Sequence, residues 1–94
     1  MHSVITEKVP GGKLVRLKVD FDTKINKVQI TGDFFLHPED AIEKIEKSVK
    51  NIPTDADKNI FREKIDSAIN KQNAQLIGAT SEDLARLITQ AVKQ

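Results

Sequence analysis

The sequence predicts an α+β fold, a small antiparallel sheet of about three strands with three helices packed on one face. Three observations lead there. The first third of the chain alternates apolar and polar residues with the two-residue period of strands. The remainder repeats apolar residues at three- and four-residue intervals between helix-capping signals. The strands also precede the helices as one block, which argues against alternating βαβ units. With 94 residues and neither an internal repeat nor a linker, the expectation is a single domain spanning 1–94.

The clearest strand runs from Leu14 to Asp22, where Val15, Leu17, Val19 and Phe21 alternate with Arg16, Lys18, Asp20 and Asp22. A second follows, with Val28, Ile30, Gly32 and Phe34 on one side and Lys27, Gln29, Thr31 and Asp33 on the other. Asp22-Thr23-Lys24-Ile25-Asn26 between them is short enough for a hairpin. Matching the apolar sides sets Phe21 opposite Val28 and Val19 opposite Ile30. That register also sets Asp22 by Lys27 and Arg16 by Asp33, contributing about a few tenths of a kcal/mol per pair. An earlier run, Val4 to Val9, reads as a third strand joined through Pro10-Gly11-Gly12. The first helix is expected to open at Pro38, whose missing N–H needs no partner at the first helical position, with Ile42, Ile45 and Val49 as its buried stripe. Thr54 is the expected cap of the second helix, with Asp57 at the capping-box distance and Ile60, Phe61, Ile65, Ala68 and Ile69 on its apolar side. Thr80 with Asp83 caps the third, which carries Leu84, Leu87, Ile88, Ala91 and Val92.

Composition excludes several kinds of chemistry. The chain has no cysteine, so disulfides, thiolate metal sites and a cysteine nucleophile are ruled out. Fifteen basic and 14 acidic residues leave a net charge of +1, too little for a field that would draw the whole molecule to nucleic acid or acidic lipid. No RNP-like or helix-turn-helix signature appears either. The beginning of the chain lacks the apolar core of a secretion signal, and no run approaches a membrane span, so a cytoplasmic location is the expectation. His2 and His37 are the only histidines and lack a third ligand at metal-site spacing. Ser3, Ser48, Ser67 and Ser81 sit in no nucleophile elbow and beside no His–carboxylate pair. The reading is of no catalytic residue and no metal site.

Two segments stand apart. Gly11-Gly12-Lys13 places a cation after two glycines whose backbone permits close approach to an anion. The full phosphate-loop pattern fails, however, because the earlier glycine is missing and Leu14 follows the lysine, so on the residues alone a Pro-Gly-Gly turn with a solvated lysine is favoured. In Asp33-Phe34-Phe35, adjacent rings on a continuing strand would point to opposite sides. Either the strand ends or bulges at Gly32 and both rings are buried, or one ring anchors a partner.

Val9-Pro10-Gly11-Gly12-Lys13-Leu14-Val15, followed by Ile30-Thr31-Gly32-Asp33-Phe34-Phe35 and Pro38-Glu39, resembles the C-terminal domain of lipoate–protein ligases. In some organisms, notably archaea, that domain is a separate small chain. The likeness extends through Gly78-Ala79-Thr80 and is strongest over residues 8–46. The resemblance implies an accessory subunit that binds a catalytic large subunit and is required for ATP-dependent activation of lipoate to lipoyl-AMP. The lipoyl group then passes to a lysine of a lipoyl-domain acceptor protein. ATP, Mg and lipoate would be used by the complex, with no cofactor bound by this chain alone. The family's catalytic lysine and Arg-Arg/Gly-rich signature belong to the large domain and are absent from this sequence. Gly11, Gly12 and Lys13 are then the expected ligand- or partner-proximal turn, and Asp33, Phe34 and Phe35 the expected partner interface. Two other readings compete: a free-standing interaction domain that binds another protein, or a second copy of itself, through its wet sheet face or first-strand edge, and a small anion- or nucleotide-binding enzyme.

Overall fold

The computed structural model describes residues 1–93. Its elements are β1 (His2–Lys8), β2 (Leu14–Phe21), β3 (Ile25–Gly32), β4 (Phe35–His37), α1 (Ala41–Ser48), α2 (Lys58–Lys71), β5 (Gln75–Ile77) and α3 (Ser81–Ala91). The first three strands form an antiparallel sheet in the order β1-β2-β3, and β4 pairs antiparallel with β5 in a separate ribbon. This is the expected α+β class with three helices, plus a ribbon the alternation did not announce.

The sheet buries the side that the sequence assigned. Val15, Leu17, Val19, Phe21, Val28 and Ile30 all lie in the core, beneath Ile45 of α1 and Leu84, Leu87 and Ile88 of α3. Helix α1 lies against β3, α3 lies against β1 and β2, and α2 rests on α1 and α3 through the fully buried Phe61 and Ile65. The expected pairing of β2 with β3, however, is displaced by two residues. Val19 faces Val28 and Leu17 faces Ile30, so Asp20 rather than Asp22 lies opposite Lys27, and Arg16 lies opposite Thr31 rather than Asp33. A two-residue slip keeps every side chain on its predicted side, which is why the core assignment survives it. The cause is a tighter connection. The Asp22 carboxylate accepts the Lys24 amide at 3.1 Å, a bond that holds its pKa below the usual value. An irregularity between Asp20 and Phe21 then brings Phe21 opposite Ile25, which the alternation had left in the turn and which is fully buried.

Two helix starts also differ from expectation. Helix α1 begins at Ala41, three residues past Pro38. The His37–Pro38 peptide is cis, and Pro38 and Glu39 offer their carbonyls to Ala41 and Ile42 as a lead-in turn. Asp57, not Thr54, caps α2, its carboxylate accepting the Asn59 amide at 2.8 Å. Thr54 instead ties the α1–α2 connection to the β2–β3 turn by donating twice to the Thr23 carbonyl. Its neighbour Pro53 bridges to Lys24, and Ile52 and Ile25 join backbones, so this connection covers one end of the β3 edge. Farther along that edge the Ile30 amide is taken by the Glu46 carboxylate of α1 at 2.7 Å.

The third helix starts as the sequence indicated. Thr80 accepts from the Asp83 amide at 3.1 Å, and the Asp83 carboxylate accepts from the Thr80 amide at 3.0 Å. Asp83 is also 3.8 Å from Arg86, which ion-pairs Glu7 of β1 and so fastens α3 to the sheet. Thr80→Ala removes one of these bonds from a well-packed helix, and a loss of about 1 kcal/mol in the free energy of unfolding is expected, measured by urea titration. Among the described residues no helix is long and apolar enough to cross a membrane.

Candidate partner-binding site

The Gly11–Gly12 turn is built by backbone conformation. Both residues have positive φ, +101° and +84°, and open space where a Cβ would stand. The turn closes on itself, with the Val9 amide donating to Lys13 and the Gly12 amide to Val9, each at 2.9 Å. One amide that an anion would need is thus already engaged. Lys13 has no carboxylate within ion-pair distance among the described residues. Lys13 is exposed, and the base of its stem lies beside Gly78, where a Cβ would stand 3.0 Å from Lys13 Cγ. Gly78 itself has φ +96°, and the same would-be Cβ would meet Phe34 Cα at 3.4 Å.

The second segment comes to the same place. At Gly32 the chain passes so close to β2 that a Cβ would lie 2.3 Å from the Leu14 carbonyl oxygen and 3.1 Å from the Phe34 ring. Asp33, exposed, donates its amide to that same carbonyl at 2.8 Å, and the chain then leaves the sheet for the ribbon. Phe34 is half-buried against the core, whereas Phe35 is 57% exposed. The alternation along the ribbon explains the difference. Leu36 pairs with Leu76 on the side facing the core, and Phe35 pairs with Ile77, 52% exposed, on the side facing out. A shallow hollow of about 320 Å³ adjoins the Phe35 ring, lined by apolar residues including Ile30, Leu36 and Ile42 and by the polar Thr31 and Glu39.

The two segments singled out in the sequence, 23 positions apart at Gly11 and Phe34, therefore meet at one end of the sheet. The open choice between the two phenylalanines resolves toward Phe35 as the ring presented outward. Sequence reasoning missed Ile77 as its partner and Gly78 as the contact between segments. The only signal was the apolar pair Leu76-Ile77 ahead of the Gly78-Ala79-Thr80 helix start. Chemically the site offers an apolar ridge with the Lys13 cation and the Asp33 and Glu39 carboxylates around it. Among the described residues no group of three His, Asp or Glu side chains is placed to hold a metal. Such a surface can bind and position a partner.

No family model matches the chain, and no curated protein matches it. A solved structure does: it is 26% identical in sequence, superimposes with a TM-score of 0.72, and the match covers 94% of this chain and 97% of the other. That structure comes from an archaeal lipoylation system of Thermoplasma acidophilum, a bi-partite lipoate protein ligase and its E2 lipoyl domain, and the present chain is similar to a component of it.

Proposed function

We propose that this chain is the accessory, non-catalytic subunit of a two-chain lipoate–protein ligase, required by a catalytic large subunit for ATP- and Mg-dependent conversion of lipoate to lipoyl-AMP. The carrying observation is the end-to-end match, 94% and 97% of the two chains, with a component of a lipoylation system whose ligase is itself divided in two. The exposed apolar pair Phe35 and Ile77 supports the ligase side of that system, as a surface suited to a lasting subunit contact. In this reading the Phe35–Ile77 ridge seats the chain on the large subunit. The Gly11-Gly12-Lys13 turn comes near the nucleotide phosphates, and closure of the pair excludes water from the adenylate.

The test is lipoate-dependent ATP–pyrophosphate exchange by a large chain bearing the Arg-Arg/Gly-rich signature, with and without this chain. Exchange should require both, and no lipoyl mass should appear on this chain. Exchange at full rate without it would leave a free-standing interaction domain as the better reading. Lys13→Ala should lower exchange about 10- to 100-fold while assembly persists, the usual scale for one electrostatic contact to developing charge. An unchanged rate would remove Lys13 from the phosphate site.

A further inference from the structure

Most of the cations on the α2–α3 side of the molecule are neutralised. Lys58 and Arg62 pair with Glu82, Arg62 also with Asp66, and Arg86 with Glu7 and Asp83. The α1–α2 side is different. Lys44 and Lys47 of α1 and Lys64 and Lys71 of α2 line one open groove of about 480 Å³, together with Ser48 and Ser67, and no carboxylate lines it. None of the four lysines has an ion-pair partner among the described residues. Two neutral groups of the groove wall are already committed, since the Ser48 hydroxyl donates to the Ile45 carbonyl and the Gln72 amide to Ala68. A chain with a net charge of only +1 thus gathers on one helical surface four positive charges that have no ion pair among the described residues, although Lys47 also borders a neighbouring hollow with Glu43 and Glu46.

We infer that this groove receives an acidic face of the lipoyl acceptor domain, an inference that rests on the ligase reading above. The chemistry selects the kind of partner. Four exposed ammonium groups, without an arginine fork or an aromatic platform, give long-range attraction without tight phosphate or base recognition, which disfavours nucleic acid. They also lack the apolar centre of a lasting subunit contact, a feature found instead at Phe35 and Ile77. Charge-steered, quickly reversed contact suits a protein substrate that must arrive, be modified and leave. The surface is therefore separate in composition from the one that seats the catalytic chain.

The experiment uses the full chain, the chain carrying Lys44→Gln, Lys47→Gln, Lys64→Gln and Lys71→Gln together, and the apo acceptor domain as probe. Titrating the acceptor domain into isotopically labelled chain should shift amide resonances along the groove, and the shifts should fade as salt rises from about 50 to 300 mM. The fourfold variant should keep its melting temperature and abolish the shifts. In the reconstituted ligase it should leave pyrophosphate exchange unchanged and raise the KM for acceptor about tenfold, with kcat held. Shifts confined to other surfaces, an unchanged KM, loss of exchange together with transfer, or nucleic acid displacing the acceptor domain from the groove would each overturn the assignment. The two readings fail separately: groove binding without support of exchange removes the ligase role alone, and exchange without groove binding removes this inference alone.

Discussion

Gly32→Ala is expected to destabilise the chain by about 1–3 kcal/mol, the range for a steric conflict that must be relieved by backbone movement. The added carbon would stand 2.3 Å from the Leu14 carbonyl oxygen and 3.0 Å from Val15 Cα, both backbone atoms of the adjoining strand. No rotamer change relieves this, and Val15 is fully buried, so β2 cannot give way without opening the core. Separating β2 and β3 there would also break the 2.8 Å bond from Asp33 to Leu14. Gly11→Ala and Gly12→Ala make the control. Nothing lies within 4 Å of either, so only their positive φ opposes a side chain, a penalty of about 1 kcal/mol. Urea denaturation of the three variants should therefore rank Gly32→Ala well apart from the other two; equal losses would refute the close-approach account.

The double variant Phe35→Ala with Ile77→Ala should have the opposite profile. Both side chains are more than half exposed, so the midpoint of thermal unfolding should move by no more than about 2 °C. Affinity for the catalytic chain should nevertheless fall about 100-fold, because paired apolar anchors at the centre of a contact carry most of its energy. Isothermal titration calorimetry with the large chain measures this directly. Phe34→Ala provides the contrast: its ring packs against the core, so it should lower stability first. Full affinity in the double variant would move the subunit contact elsewhere, with β1, an outer strand of the sheet, as the next surface to test.

The part of the fold legible in the sequence was the part governed by periodicity. Val15, Leu17, Val19 and Phe21 identify a buried sheet face whatever their partners are, and Thr80 with Asp83 marks a helix start through purely local bonds. Register was not legible, because it depends on how tightly Asp22-Thr23-Lys24 turns and on the gain from burying Ile25, an isolated apolar residue between two runs. The start of α2 went to Asp57 because Thr54 had a competing partner in Thr23, a residue 31 positions away that no local pattern reveals. The ribbon was hidden for a simpler reason: strands of three residues are too short to establish an alternation. At the site, Gly11-Gly12-Lys13 and Asp33-Phe34-Phe35 were visible as departures from the surrounding pattern. Their meeting through Gly78 is a tertiary fact.

That meeting has a consequence for anyone wishing to transplant or redesign this surface. A graft of the outward ridge alone would carry two exposed apolar side chains to a new scaffold but leave the ammonium group's position undefined. Three excerpts of the chain, around the first glycine pair, the exit from the long hairpin and the lead-in to the final helix, must travel together for ridge and charge to keep their spacing.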